Sequence, residues 1–415
     1  MAGAKRMPER IDAQVIVVGG GPAGASVAFA LARAGLDVCI MDRARFPREK
    51  PCAEYMSPQA SRLLEAMGAL TRLEAAGAAQ LSGMVVRAPN GALIRGDFAA
   101  EHGFRGFRDR GLAMRRRDLD PILLDCARAA GARVEEAMKV SDLAYDRTGR
   151  VCGVLVSRAG GVPAVRRAAV VIGADGLRSV VARRLGLARP SRWPRRIAFV
   201  THYRGVRGIG MSGEMHVDRD GYLGLADVGH GETNVALVVP ARTSGIAGDA
   251  EGFLSKWIAA RPHLAVRFAG AARVSPVRAT GPFGASSRRG WAPGAALVGD
   301  AADFFDPFTG EGIYAALRGG ELLAPFVHEA ATAGPAAADR ALAAYERARH
   351  AEFGAKWRVE RLIGAAVAFP ALMNRAATAL ARRKDMADLL VGVAGDFVPA
   401  REVLRPRYLL SLLLA

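Results

Sequence analysis

The chain is poor in lysine, cysteine and long apolar runs, and each shortage narrows what it can be. Only six of its 58 basic residues are lysine, so the net charge of +18 rests on arginine. Those arginines are scattered, with short clusters at Arg115-Arg117 and Arg382-Lys384. They do not interleave with aromatics as single-strand binders do, so no nucleic acid is expected as a partner. The richness in Ala, Gly and Arg is what a GC-rich genome would produce. Of the four cysteines, Cys39, Cys126 and Cys152 fall in predicted strands or a helix and read as core thiols. No pair has metal-ligand spacing and the seven histidines do not cluster with them, so neither a metal nor a disulfide is expected. A reducing cytoplasm is the default location. No apolar stretch reaches the ~18 residues of a membrane helix. Lys5, Arg6 and Arg10 precede an apolar run, but that run carries a nucleotide fingerprint, so no targeting segment is expected. There is no internal repeat.

What is present begins at Asp12. Val15 to Val18 is a continuous apolar run, as expected of a strand buried on both faces. Gly19, Gly21 and Gly24 follow with G-x-G-x-x-G spacing. The first permits a tight turn, the second a close approach of a diphosphate, the third close packing of helix on sheet. A helix from Pro22 and Ala23 to Ala34 would aim its first amides at the phosphates. Leu36 to Met41 reads as the second strand, and Asp42 at its end can bind ribose hydroxyls. Strand, helix, strand and terminal acid together predict an adenine-dinucleotide site.

At 415 residues the chain has room for two or three domains. Residues 1–10 read as a disordered tail. An extended loop runs from Arg43 to Ser57, which caps a helix from Pro58. Strands are expected at Leu81–Arg87 and Ala92–Phe98, and a helix ends at Gly131. Val170 to Gly173 ends in an Asp175-Gly176 turn with a helix after it. From Ile197 to Ala241 four strands with hairpin turns predict an antiparallel sheet. Ala295 to Leu317 returns to the strand, glycine turn and helix style. Past Ala336 the chain reads as helical.

Three strand-end motifs thus stand in one chain: Gly19–Gly24, Gly173-Ala-Asp-Gly-Leu-Arg-Ser179 and Gly299-Asp-Ala-Ala302. Over roughly residues 11 to 325 the sequence resembles the flavoprotein superfamily of aromatic hydroxylases (p-hydroxybenzoate hydroxylase-like), geranylgeranyl reductases and flavin-dependent halogenases. The resemblance implies an α/β fold: a Rossmann-like FAD-binding domain, an inserted antiparallel β-sheet substrate domain and a helical C-terminal region. The FAD-binding domain would be discontinuous, over 11–80, 105–190 and 275–335. The substrate domain would take 81–104 and 191–274, and the helical region 336–415.

Carried over by position, Gly19, Gly21 and Gly24 would hold the FAD diphosphate and Asp42 the adenosine ribose, where relatives usually carry Glu. Arg43 would lie by the adenine. Arg116 matches an arginine near the diphosphate. Asp175 would hold the diphosphate region with Arg178 as its ion-pair partner, and Asp300 would accept a bond from the ribityl chain. The alternative for Asp175 and Asp300 is helix capping. Pro307, Gly310, Gly312 and Ile313 form a tight segment running into a helix, whose amide donors would stabilise charge on reduced flavin. Lys50-Pro-Cys-Ala-Glu-Tyr-Met-Ser-Pro58 resembles the Cys-Gly-Gly…Ser-Pro stretch of the reductases, with Ala53-Glu54 in place of glycines. It makes Cys52 a candidate near the flavin. His202, His216, Tyr222, Phe304, Phe305 and Phe308 are candidates to line a substrate pocket under the antiparallel sheet; no catalytic base is assigned.

The reaction is read in three ways. The leading one is monooxygenation of a hydrophobic or aromatic small molecule with NAD(P)H and O2, through a flavin C4a-hydroperoxide. The stretch from Gly221 to Ala236 looks more like the hydroxylase and halogenase sheet. The second is reduction of isoprenoid or quinone double bonds, which Asp306-Pro-Phe-Thr-Gly-Glu-Gly-Ile313 resembles. The third is a non-catalytic flavin-binding protein. Halogenation is not expected, because Ser191-Arg-Trp-Pro-Arg-Arg-Ile197 does not match the Trp-x-Trp-x-Ile motif. No second G-x-G-x-x-G follows a strand, so NAD(P)H would bind transiently. The tail from Lys356 to Ala415 would pack on the body or a dimer partner, or form a lip against a greasy substrate or membrane surface. A monomer and a homodimer are both compatible with the sequence.

Overall fold

The computed structural model describes residues 11–190, 193, 195–243 and 248–413; the expected tail over 1–10 lies outside them. The apolar run after Asp12 becomes the strand Ala13–Val18, and it pairs in parallel on both edges, with Val38–Met41 and with Ala164–Gly173. Arg133–Glu135 and Ala295–Leu297 extend the parallel sheet outward on either side. Alternation sorts the central side chains. Val15, Val17, Ile40 and Ile172 face a core shared with helices, while Ile16, Val18, Cys39 and Met41 face the opposite one. Antiparallel strands Met138–Tyr145 and Val151–Arg158 cover that second face. Burial on both faces is why these strands read as unbroken apolar runs.

Two helices on the first face fix the later site. Helix Pro22–Arg33 packs along helix Gly312–Thr332, and the contact is close because Gly320 carries no side chain. A Cβ there would lie 2.8 Å from Ser26. The Ser26 hydroxyl donates to the Leu317 carbonyl at 2.8 Å across the same seam. The two helix N-termini, from segments nearly 300 residues apart in the chain, therefore open side by side.

The second large sheet runs Ala272–Arg273, Arg196–Arg204, Glu232–Pro240, Gly221–Asp227, Ser212–Asp218, Gly83–Arg87, Leu93–Asp97. Its central hairpins are antiparallel, as expected from the turns, but Gly83–Arg87 joins Ser212–Asp218 in parallel. The strand Arg278–Thr280, beyond the expected boundary at 274, also pairs with this sheet. One face carries Phe199, Leu223, Val235, Leu237 and Val239 under helix Ala250–Ala259. The other carries Ala198, Val200, Tyr222 and Val238 toward the C-terminal helices. Those helices are Pro335–Ala368, Pro370–Arg382, Lys384–Ala394 and Pro406–Leu413.

Gly320→Val should overpack the seam between the two helices and cost ~1–3 kcal/mol. Thermal melting should show a lower midpoint for the variant, and unchanged melting would mean the seam can open freely.

Candidate cofactor and substrate site

The fingerprint glycines are fixed by contacts that no side chain could share. A Cβ on Gly24 would sit 1.9 Å from the Gly19 carbonyl oxygen. One on Gly19, at φ 107°, would meet the Ala174 carbonyl at 2.5 Å. Gly21 is different, because its open side faces cations: a Cβ there would lie 3.5 Å from Arg116 Nη2 and 3.8 Å from Arg48 Nη2. Two guanidinium groups beside a bare backbone at a helix N-terminus make a cradle for a diphosphate. The residues present therefore fit the phosphates of a dinucleotide.

The cradle is braced by one buried acid. Asp120 takes a two-pronged bond from Arg116 at 2.7 and 2.9 Å, and Arg48 reaches it at 2.9 Å. Burial works against the Arg116 charge, but Asp120 holds the group charged. Burial also lowers the Lys50 ammonium, with Arg116 adding to the effect and Asp300 opposing it. Asp300 stands across the cavity; burial pushes its carboxyl up, against the pull of Lys50 and Arg116. It lines the cavity with Gly299, Pro307, Gly310, Gly312 and Ile313, and with Gly21, Pro22 and Ala23 from the fingerprint.

Other expected residues stand around this cavity or outside it. Asp42 accepts from the Gly20 amide at 2.7 Å and the Ala44 amide at 2.8 Å, so its carboxylate shapes the loop. Arg43 points to solvent and is not part of the cavity wall, whereas Arg48 is beside Gly21. Asp175 accepts from the Val180 amide at 2.6 Å, at the start of the short helix Val180–Arg184, whose N-cap is Ser179. Arg178 does not pair with it in the bonds seen; it donates to the Gly281 carbonyl at 2.5 Å. Asp175's neighbours Ala174 and Gly176 are the ones that line the cavity.

The segment after Asp300 behaves as its glycines require. Asp306 accepts from the Phe308 amide at 3.1 Å, Pro307–Thr309 forms one tight turn, and Gly310 takes φ 72°. The helix then starts at Gly312. Tyr222 ties this segment to the antiparallel sheet by donating to Asp306 at 2.7 Å, and Arg196 pairs with the same carboxylate.

The cavity, about 250 Å³, continues from the cradle beneath the antiparallel sheet. Small residues on that face, Ala198, Gly224, Ala226 and Ala236, leave the room for it. Cys52, Tyr222 and Phe305 line it, as do Phe304 and Phe308. His216 does not; it bonds Glu214 at 2.8 Å beside His263. His202 does not line it either. It stands behind the 50–54 loop, with Nε2 2.7 Å from Glu54 and Nδ1 2.9 Å from Ser275. Glu54 also accepts from the Arg116 amide at 2.9 Å and from Asn234 at 2.9 Å. Asn234 further donates to the Cys52 carbonyl at 2.9 Å. Glu54 sits at φ 63°, which explains why glycine is usual in the resembling stretch. The network holds a strain of ~1–3 kcal/mol there.

Sequence reading missed Arg48, Asp120, Glu54 and Asn234. Only Arg116 and Asp120, four apart on a helix, left a local signal. Among the described residues no His, Cys, Asp and Glu group could hold a metal, and no cysteine forms a disulfide.

His202→Ala leaves the buried Glu54 carboxylate short of a partner and should cost ~1–3 kcal/mol. Because Glu54 also fixes the Arg116 backbone, the purified variant should retain less flavin per chain by visible absorbance. Full flavin retention with an unchanged melting point would refute the bracing role.

Comparison with known proteins places this geometry. A family model for an FAD binding domain matches residues 12–199. Digeranylgeranylglycerophospholipid reductase 2 of Methanopyrus kandleri is 31% identical over 94% of this chain and 94% of its own. Menaquinone reductase of Mycolicibacterium smegmatis is 29% identical over 75% of each chain. Among solved structures, the flavin-dependent brominase Bmp2 superposes with a TM-score of 0.81 at 19% identity, over 95% of this chain and 98% of that one. That last likeness is one of fold. With the diphosphate cradle and the full-length relatives in agreement, the chain belongs to the flavoprotein family that carries this FAD-binding domain, and it is an FAD-dependent oxidoreductase.

Proposed function

We propose that the chain reduces a carbon–carbon double bond of an isoprenoid-like or quinone-like substrate, with a nicotinamide cofactor as transient reductant. The observation that carries this reading is one continuous cavity. It runs from the charged cradle at Arg116 and Asp300 to a wall of Phe283, Phe304, Phe305, Phe308, Phe353 and Trp357. Such a wall suits a hydrocarbon chain rather than a polar metabolite. The names of the relatives support it: a digeranylgeranylglycerophospholipid reductase and a menaquinone reductase. FAD, when bound, supplies two electrons as a hydride equivalent. The chain's own part is to hold the diphosphate with Arg48 and Arg116, keep water from the aromatic wall and position the double bond beneath Ala198, Gly224 and Ala236.

The second reading is monooxygenation of a hydrophobic or aromatic molecule with NAD(P)H and O2. It is favoured by the Gly221–Ala236 stretch, which lacks the aromatic and Phe-Pro pattern typical of the reductases. Oxygen separates the two. Under strict anaerobiosis with excess reductant, a reductase should convert a prenylated quinone or polyprenyl lipid over many turnovers. A monooxygenase stops after one reduction of its flavin. A non-catalytic flavoprotein shows no substrate-stimulated NAD(P)H oxidation in air or without it.

We also propose that the elbow between Pro335–Ala368 and Pro370–Arg382 rests on an anionic lipid surface. The two helices meet at a bend of 113°, and no single helix among the described residues is long and apolar enough to cross a membrane. Leu362, Phe369, Leu372 and Trp193 are exposed around the bend, among the exposed cations Arg358, Arg361 and Arg375. Apolar side chains ringed by arginine suit an interface of opposite charge. Arg361 lies 4.5 Å over the ring of Phe305, so this surface adjoins the cavity wall. The protein should co-sediment with phosphatidylglycerol vesicles and not with phosphatidylcholine vesicles. Phe369→Ser with Leu372→Ser should weaken that binding ~10-fold or more.

A further inference from the structure

The cavity holds a set of ionisable groups that cofactor binding does not use. Glu311, the residue before helix Gly312–Thr332, is 5% exposed and lines the cavity. Glu360, from the long helix Pro335–Ala368, lines it too, near enough for the two carboxyl groups to influence each other's protonation. Lys356, one turn earlier on the same helix, reaches Glu311 at 2.9 Å and is also paired with the buried carboxylate of Asp396. Two carboxylates in contact cannot both be ionised cheaply, so such a pair holds one proton between them.

The neighbours fix which form is held. Glu360 feels Glu311, Lys356 and Asp306. Asp306 is already neutralised by Arg196 and bonded by Tyr222. Tyr55 lies against Glu311 from the loop side, its phenol pushed far up by burial. Burial pushes Glu311 up, with Lys356 opposing. Burial, and then the charge of Glu311, push Glu360 up to about 8. At neutral pH the proton therefore stays on the pair, in a cavity whose other walls are largely apolar.

We infer that the Glu311–Glu360 pair is the proton donor for double-bond reduction, with Lys356 stabilising the carboxylate it leaves. This rests on the reductase reading above. Reducing a carbon–carbon double bond takes a hydride equivalent at one carbon and a proton at the other. The cofactor supplies the first, and the carboxyl pair supplies the second by breaking its O–H bond as the new C–H bond forms. The pair then carries one more negative charge beside Lys356, and a proton from solvent restores it before the next turnover. A general acid works best when its pKa lies near the working pH, and positioned proton donors contribute ~10²–10⁴-fold. An ion-paired network would otherwise be an odd inclusion among phenylalanines, since burying charges without need is unfavourable.

The test has a spectroscopic arm and a kinetic arm. Infrared difference spectra of the oxidised holoenzyme should show a protonated-carboxyl band that titrates away with a midpoint near 8. Glu360→Gln should abolish that titration, with Glu311→Gln as a second variant should the first fold poorly. In stopped flow, Glu360→Gln should slow reoxidation of reduced flavin by the alkene ~100-fold or more, and slow flavin reduction by the nicotinamide cofactor far less. The wild-type rate should fall as pH rises through about 8, and the variant should lose that fall. No titrating band in the wild type, or a wild-type reoxidation rate in Glu360→Gln, overturns the inference while leaving the reductase reading in place. A wild-type enzyme that reduces no alkene or quinone anaerobically overturns that reading, and the donor role with it.

Discussion

A buried carboxylate at Glu54 joins the parts of this molecule that must act together. One of its oxygens accepts from the backbone of Arg116, whose guanidinium flanks Gly21. The other meets His202 and Asn234, from adjacent strands of the antiparallel sheet. The 50–54 loop that carries it also carries Lys50 and Cys52 into the cavity wall. A buried acceptor left without donors is expensive, so the cradle, the loop and the sheet are held in one arrangement. The left-handed backbone at Glu54 is tolerated for the same reason.

The charges follow a consistent division of labour. Arg48 and Arg116 share the one carboxylate of Asp120, so the group stays cationic where the backbone of Gly21 lies open. Glu311, Lys356 and Glu360 form a second group, in which burial favours the protonated carboxyl and Lys356 opposes it. Between them the sheet contributes alanine and glycine, and the 304–308 segment contributes phenylalanine. Both groups open into one cavity, and among the described residues no His, Cys, Asp and Glu group could hold a metal.

The large surface charge is spread over arginines that mostly answer local acids. Arg62 with Glu321, Arg128 with Asp125 and Glu136, and Arg318 with Glu352 are half-exposed pairs of this kind, and each contributes little to stability. The arginines near the helical elbow differ in standing among exposed apolar side chains.

The sequence by itself determined the nucleotide-binding half. Strand, glycine turn and helix are local, and the last fingerprint glycine answers a contact within the motif itself. Gly24 against Gly19 is the plainest case. The hairpins from Ile197 to Val239 were legible for the same reason, since turn chemistry and alternation are written in consecutive residues. What only the tertiary structure decided is which distant side chains converge. Arg48, from the loop after the second strand, and Arg116, from a helix, meet beside Gly21. His202 is drawn behind a loop by Glu54, 148 positions away in the chain. Glu360 meets Glu311 only because a long helix returns across the cavity. Periodicity records a residue's own face, whereas these pairings depend on how separate elements cross, and no local pattern encodes that.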